Sequence, residues 1–106
     1  MNEEQASQLF ESLSSPIRLK IFLQLTILGT KGMVAGELAR KLELRPNNLS
    51  FHLNILSKSG LIFSQSEGRF IRYFANLTLM TEFIRFLTQN CCQDDQDALK
   101  CCSLAC

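Results

Sequence analysis

Two prolines and a glycine divide the first 60 residues of this chain into helical segments. Pro16 and Pro46 each stand directly before an apolar stripe at helical spacing, and Gly60 follows the second stripe. Proline is favoured in the first turn of a helix, and glycine just past its end. We therefore predict one helix that begins at Pro16, with Ser15 as its N-cap, and another that runs from Pro46 to Gly60. The stripes are Ile17, Ile21, Leu25 and Leu28 in the first helix and Leu49, Leu53 and Leu56 in the second.

Three more apolar stripes predict three further helices. One lies in residues 3–14, one in residues 34–42, and one in a last helix that runs toward Cys91. The helix over 34–42 is separated from the helix at Pro46 by only three residues, which predicts a tight turn between them. The three stripes are Leu9, Phe10 and Leu13; Val34, Leu38 and Leu42; and Leu79, Met80, Phe83, Ile84 and Leu87.

The segment after Gly60 has the composition of a β-hairpin. The runs LIFSQ and RFIRYFA are rich in β-branched and aromatic residues and are separated by Ser66, Glu67 and Gly68. Such runs around a short glycine-containing turn are typical of two antiparallel strands. Both faces of the second strand carry apolar side chains, so the sequence leaves open which face meets the core.

This order of elements predicts a mainly α fold with a β-hairpin wing, the winged helix-turn-helix. A chain of 106 residues with 46% hydrophobic content is long enough for one core. We expect one domain over residues 1–92 and a flexible cysteine-rich tail over 93–106. No apolar run reaches the roughly 20 residues of a membrane span, and the N-terminus does not resemble a signal peptide. A soluble cytoplasmic protein without membrane contact is expected.

In such a fold the second helix of the pair enters the major groove of DNA. Its predicted polar face carries groups suited to reading base edges, since asparagine pairs with adenine and serine with several bases. Phe51 either packs under the neighbouring helix or touches a thymine methyl group. His52, the one histidine, is a core residue, a metal ligand or a DNA contact, and its position favours DNA. The predicted face consists of Asn47, Asn48, Ser50, Phe51, His52 and Asn54.

Basic residues concentrate in the middle of the chain. Residues 31–72 hold seven lysines and arginines against three glutamates, a surplus of +4, although the whole chain carries only +1. Basic side chains around a recognition helix contact phosphates and fix its position, whereas any one of them could equally be a solvated surface charge. The predicted phosphate contacts are Arg45, Lys58 and Arg69, with Lys31, Arg40, Lys41 and Arg72 as further candidates.

All five cysteines lie in the final stretch NCCQDDQDALKCCSLAC. Thiols gathered at one end cannot form disulfides across the body of the fold, and in a reducing cytosol such clusters bind soft metals or sense oxidants. No glycine-rich phosphate loop or catalytic carboxylate pair is recognisable, so an enzyme is not expected.

Three segments resemble the ArsR/SmtB family of metal- and metalloid-responsive repressors. They are LSSPIRLKIFLQL, GELARKLELRPNNLSFHLNILSKSGLI and EGRFIRYFA, which cover most of residues 11–75. The resemblance implies a homodimer built from the first and last helices, a two-fold symmetric double-stranded operator, and release of DNA when an inducer binds. The dimer contacts that it implies here are Leu9, Leu13, Phe83 and Leu87.

The inducer sites best known in that family are absent from this chain. Val34-Ala35-Gly36 replaces a cysteine-valine-cysteine, and the last helix has no histidine for a zinc site. Asn90-Cys91-Cys92 is similar to a subset of arsenic repressors with sensing thiols at the end of the last helix. That similarity implies three-thiolate binding of trivalent arsenic or antimony by Cys91, Cys92 and a third thiol, Cys101 or Cys102.

Three functions therefore follow from the sequence. The first is a transcriptional repressor released by trivalent arsenic or antimony, which are soft acceptors for thiolates. The second is a repressor whose cysteines sense oxidation. The third is a thiol metal carrier whose winged domain contacts proteins, and it predicts no salt-dependent binding to an operator.

Overall fold

The computed structural model describes residues 1–92, and the predicted tail of 93–106, with Cys101 and Cys102, lies outside this range. The predicted winged helix-turn-helix fold is confirmed. The helices are α1 (Glu3–Leu13), α2 (Pro16–Leu28), α3 (Ala35–Leu42), α4 (Pro46–Ser59) and α5 (Leu77–Thr88), and a short 3-10 turn spans Gly29–Lys31. The strands are β1 (Met33–Val34), β2 (Ile62–Glu67) and β3 (Phe70–Ala75).

Local capping fixes the ends of the helices. The Ser15 hydroxyl accepts a hydrogen bond from the Arg18 backbone N–H, and Pro16 occupies the first turn of α2, as predicted. Helix α4 ends at Gly60, whose φ of +86° is a left-handed conformation that glycine adopts without steric cost. The sequence therefore sets the length of both helices directly.

The turn between α3 and α4 is as short as predicted. Glu43 has a left-handed backbone with φ of +55°, and its N–H bonds to the Ala39 and Arg40 carbonyls at the end of α3. Leu44 and Arg45 complete the connection before Pro46 begins α4. This connection holds the two helices of the helix-turn-helix in a fixed relation.

The sheet has three strands in the order β1-β3-β2, all antiparallel. The two-residue strand β1 was not predicted, because a pair of residues is too short to show alternation. The register also settles which face of the wing meets the core. Ile62 pairs with Ala75 and both are buried, while Phe63 stacks on Phe74 across the opposite face, with ring centroids 5.1 Å apart.

Gly32 lies where the 3-10 turn passes closest to β3. It is buried with φ of +58°, and a Cβ at this position would be 2.4 Å from the Tyr73 carbonyl oxygen and 2.7 Å from the Phe74 ring. Only glycine fits such a close approach at positive φ. Gly32 therefore lets β1 join the wing.

The core is formed by one cluster of apolar side chains from all five helices and the sheet. Its fully buried members include Ile21, Leu25, Leu38, Leu56 and Leu61. These positions are the inward stripes of α2, α3 and α4, together with the entry to β2. Burial of this face is the main stabilisation of such a domain.

Two of the four side chains that were expected at a dimer interface lie inside a single chain. Leu9 and Phe83 are 4% and 6% exposed and belong to the core, because α1 and α5 pack against the body of the same chain. Leu87, another of the four, is about half exposed on α5, and so is Phe10 on α1. Leu13 is partly buried against the core.

Candidate nucleic-acid interface

The recognition helix α4 presents an uncharged polar face to solvent. Asn47, Asn48, Ser50, Phe51 and Asn54 are all exposed, as predicted. Residues three and four apart share one side of a helix, so 47, 50, 51 and 54 form one continuous strip. Because Phe51 is 59% exposed, it does not pack under the neighbouring helix. The strip therefore offers amide, hydroxyl and aromatic groups to a ligand.

The prediction that His52 lies on this exposed face is wrong. His52 is 8% exposed, because its position turns toward α2 and the core while Phe51 turns outward. Burial, and then the positive charge of Arg18, lower the pKa of His52 below its ordinary value of 6.5. The imidazole is therefore a neutral group inside the domain.

Arg18 contacts this histidine and was not singled out in the sequence. Its Nη1 lies 3.3 Å from His52 Nδ1, and its Nε donates a 2.7 Å hydrogen bond to the Ser12 carbonyl. One guanidinium thus bridges the end of α1 and the middle of α4 from its place on α2. No signal in the sequence separated Arg18 from Lys20, the other basic residue of α2.

The tip of the wing carries Arg69. Glu67 pairs with Phe70, so Gly68 and Arg69 form the two-residue turn, and Gly68 has the positive φ of +62° that such a turn requires. Arg69 is exposed, as are Arg45, at the start of α4, and Lys58, near its end. The predicted phosphate contacts are therefore solvent-accessible at both ends of α4 and at the tip of the wing.

Arg72 is held by contacts within the fold. Its Nε donates to Glu67 Oε2 at 2.9 Å, and its Nη1 donates to the Lys31 carbonyl at 3.1 Å. The first contact joins the two long strands of the wing, and the second joins the wing to the 3-10 turn. Arg72 therefore braces the wing, whereas Lys31, Arg40 and Lys41 are exposed.

The thiols of Cys91 and Cys92 converge just beyond the end of α5. The Cys91 N–H bonds to the Thr88 carbonyl at 3.0 Å, and Cys92 has a left-handed φ of +53°. On a regular helix, neighbouring side chains diverge by about 100°. Here the helix has ended, and the two sulfurs are 3.6 Å apart.

Within residues 1–92, no group of three or more potential metal-binding side chains comes together. The predicted third thiol, Cys101 or Cys102, lies outside the described range. Cys91 and Cys92 are therefore the two predicted metal ligands that the described range contains.

Comparison with known proteins connects this fold to transcriptional regulators. The model of a helix-turn-helix domain matches residues 13–63. The transcriptional repressor SdpR of Bacillus subtilis is 31% identical over 91 residues, which are 86% of this chain and 98% of that protein. The transcriptional activator HlyU of Vibrio cholerae is 30% identical over 95 residues, which are 90% and 85% of the two chains.

Solved structures agree with these sequence matches. An ArsR-like transcriptional regulator from Rhodococcus sp. RHA1 superposes with a TM-score of 0.75 at 28% identity, over 92% of this chain and 89% of that one. Reduced HlyU from Vibrio cholerae superposes with a TM-score of 0.65 at 28% identity, over 81% and 90%.

The fold, the exposed strip on α4 and these relatives define a DNA-binding transcriptional regulator of the winged helix-turn-helix class. Among residues 1–92, no helix is long and apolar enough to cross a membrane. The chain belongs to the ArsR/SmtB family.

Proposed function

We propose that this regulator is a repressor that leaves its operator when trivalent arsenic or antimony binds the cysteines that follow α5. The observation that carries the proposal is the 3.6 Å separation of the Cys91 and Cys92 sulfurs. Two sulfurs bound to one tetrahedral zinc at about 2.3 Å would be roughly 3.8 Å apart. A soft ion can therefore bridge the pair without large movement of either residue.

The third sulfur in this proposal comes from Cys101 or Cys102, outside the described residues. Thiolates select soft acceptors over the hard cations that prefer oxygen. A pyramidal trivalent metalloid is complete with three sulfurs, whereas a structural zinc site requires four ligands. Residues 77–106 contain no histidine, so the histidine-containing zinc site of the family is absent from this chain.

The proposed operator contacts are divided between two elements. Asn47, Asn48, Ser50, Phe51 and Asn54 on α4 would meet base edges in the major groove. Arg45, Lys58 and Arg69 would meet phosphates, with Arg69 reaching the backbone from the tip of the wing. Two such chains related by a two-fold axis would read a symmetric operator.

The position of the thiols on the chain suggests how the two events are coupled. The Phe10 ring on α1 packs edge-on against Phe83 on α5, with centroids 4.8 Å apart, and α5 leads within three residues of its end to Cys91. If α1 and α5 form the dimer interface, closure of thiols around a metalloid changes the end of an interface helix. Binding of either ligand then weakens the other by the same free energy, typically about 1–3 kcal/mol.

An operator-release titration tests the proposal. Fluorescence anisotropy on DNA from upstream of the regulated gene is measured anaerobically, with reductant, while arsenite, antimonite, cadmium or zinc is added. We expect arsenite and antimonite to release the wild-type protein. Cys91→Ser, Cys92→Ser and a chain truncated after Asn90 should bind DNA normally and resist release. Cys106→Ser is the matched thiol control and should respond as wild type does.

The other two hypotheses predict different results in the same titration. Release by peroxide but not by arsenite would favour a thiol-oxidation sensor, and absence of any salt-dependent operator binding would favour a thiol metal carrier. Release by arsenite that survives in both Cys91→Ser and Cys92→Ser would refute the assignment of the sensor to these thiols.

A further inference from the structure

We propose that Arg18 is a positioning residue for operator binding, which sets the orientation of the recognition helix through His52. The proposal rests on DNA binding by this family and is independent of the thiols. It concerns the affinity of the protein for DNA without inducer, so it can fail while the arsenic proposal stands.

The Arg18 guanidinium binds on one side to the Ser12 carbonyl, which has no hydrogen-bond donor within α1. The last carbonyls of a helix have no partner within it. The natural donor to the Ser12 carbonyl would be the N–H of residue 16, but that residue is proline and has none. The Arg18 Nε supplies the missing donor at 2.7 Å. This contact anchors the guanidinium on the end of α1.

On its other side, the Arg18 guanidinium determines the tautomer of His52. An arginine side chain only donates hydrogen bonds, so His52 Nδ1, at 3.3 Å from Nη1, must be the acceptor. The histidine is therefore neutral with its proton on Nε2, in agreement with its lowered pKa. A protonated ring would bring a second cation against Arg18 inside the domain.

His52 in turn supports the exposed strip of α4. Its ring packs edge-on against Phe51, with centroids 5.3 Å apart and an interplanar angle of 72°. The guanidinium thus connects α1 to a side chain that faces the proposed major-groove contacts. Arg18, Ser12 and Lys58 also line an open cleft of about 390 Å³ between α1 and α4.

A small rotation of α4 would matter for base reading. Side chains reach about 5–6 Å from the axis of a helix, so a rotation of roughly 10° moves their ends by about 1 Å. A binding site loses function when its side chains are about 1 Å away from the productive geometry. Loss of the bridge should therefore weaken operator binding although Arg18 itself touches no DNA.

The test measures operator affinity by anisotropy at several salt concentrations, without inducer, for Arg18→Met, Arg18→Lys, His52→Leu and His52→Asn. Because a hydrogen bond to a charged group is involved, we expect about tenfold weaker binding for Arg18→Met and His52→Leu. His52→Asn keeps an acceptor near Nδ1 and should bind almost as wild type does. Lys20→Met removes an exposed charge from the same helix and serves as the matched control.

Two measurements distinguish a positioning role of Arg18 from a direct contact with DNA and from a role independent of His52. The double variant Arg18→Met with His52→Leu should bind no worse than either single variant, since both remove one bridge. The slope of log affinity against log salt should stay at its wild-type value in Arg18→Met, because no phosphate contact is lost. Melting curves confirm that each variant is folded at the assay temperature, and Arg18→Lys, which keeps one donor contact, should be intermediate in affinity.

Three outcomes would overturn the inference. A salt slope reduced by about 1 in Arg18→Met would mean that Arg18 contacts a phosphate directly. A lowered melting temperature with unchanged affinity of the folded protein would mean a merely structural role. Additive losses in the double variant would mean that Arg18 and His52 act separately.

Discussion

Replacement of Gly32 by alanine tests how the wing is attached to the helical body. The new Cβ would stand 2.4 Å from the Tyr73 carbonyl oxygen and 2.7 Å from two carbons of the Phe74 ring. A non-glycine residue at positive φ costs about 1–3 kcal/mol. Overpacking of a buried site adds about 1–3 kcal/mol more. Gly32→Ala should therefore lose roughly 2–6 kcal/mol, a large part of the stability expected of a small domain.

Gly29→Ala is the matched control for this prediction. Gly29 also has a positive φ, +55°, but its added Cβ would meet no atom within 4 Å. Gly29→Ala should therefore lose only the free energy needed to place alanine at a positive φ, about 1–3 kcal/mol. The difference between the two variants isolates the clash with β3.

Urea unfolding followed by circular dichroism measures both variants. The clash should appear as a further fall of about 1–3 kcal/mol in the free energy of unfolding of Gly32→Ala, relative to Gly29→Ala. Operator affinity should also fall in Gly32→Ala alone, because Phe74 and the strand that follows Arg69 must shift. Equal unfolding midpoints for the two variants would show that the approach of β1 to β3 is not tight, and would refute this account of the wing.

Three further predictions follow from individual side chains. Arg69→Gln should lower the slope of log operator affinity against log salt by about 1 and leave the urea midpoint unchanged, since it removes one proposed phosphate contact from an exposed turn. An unchanged slope would mean that the tip of the wing does not contact DNA. As pH falls below about 6.5, the free energy of unfolding of the wild type should decrease relative to that of His52→Asn. The reason is that His52 binds a proton in the unfolded chain at such pH, whereas in the folded protein its lowered pKa keeps it neutral. Parallel pH profiles of the two proteins in urea titrations would contradict the buried contact between Arg18 and His52. If the expected homodimer forms through α1 and α5, Leu87→Glu should convert it to monomer in light scattering with little change in the stability of the monomer, since Leu87 is half exposed within one chain. A dimer that persists in this variant would place the interface elsewhere.

The helices of this protein could be predicted because their signals are local. Ser15 and Pro16 begin α2, Pro46 begins α4, and Gly60 ends it, in each case through capping chemistry that involves only neighbouring residues. The tight turn at Glu43 and the wing hairpin were found in the same way. The family, too, could be inferred from contiguous segments, since its signature lies in α2, α4 and the wing.

The burial of individual side chains around a helix was harder to predict. His52 and Phe51 are adjacent polar-face candidates in the sequence, yet one is buried and the other is exposed. His52 lies three residues after Leu49 and four before Leu56, so it shares their buried side of α4, whereas Phe51 does not. Similarly, Leu9 and Phe83 belong to stripes that the sequence could assign equally to a core or to a dimer interface.

The sequence by itself thus determined the five helices, the wing hairpin and their order, because capping, periodicity and composition act over a few residues. The regulator family and the location of every thiol were also evident from the sequence. The tertiary structure decided which strand pairs with β1, which side of the wing is buried, and that one guanidinium joins three helices. Those facts depend on contacts between residues far apart in the chain, and such contacts form only when the elements pack together.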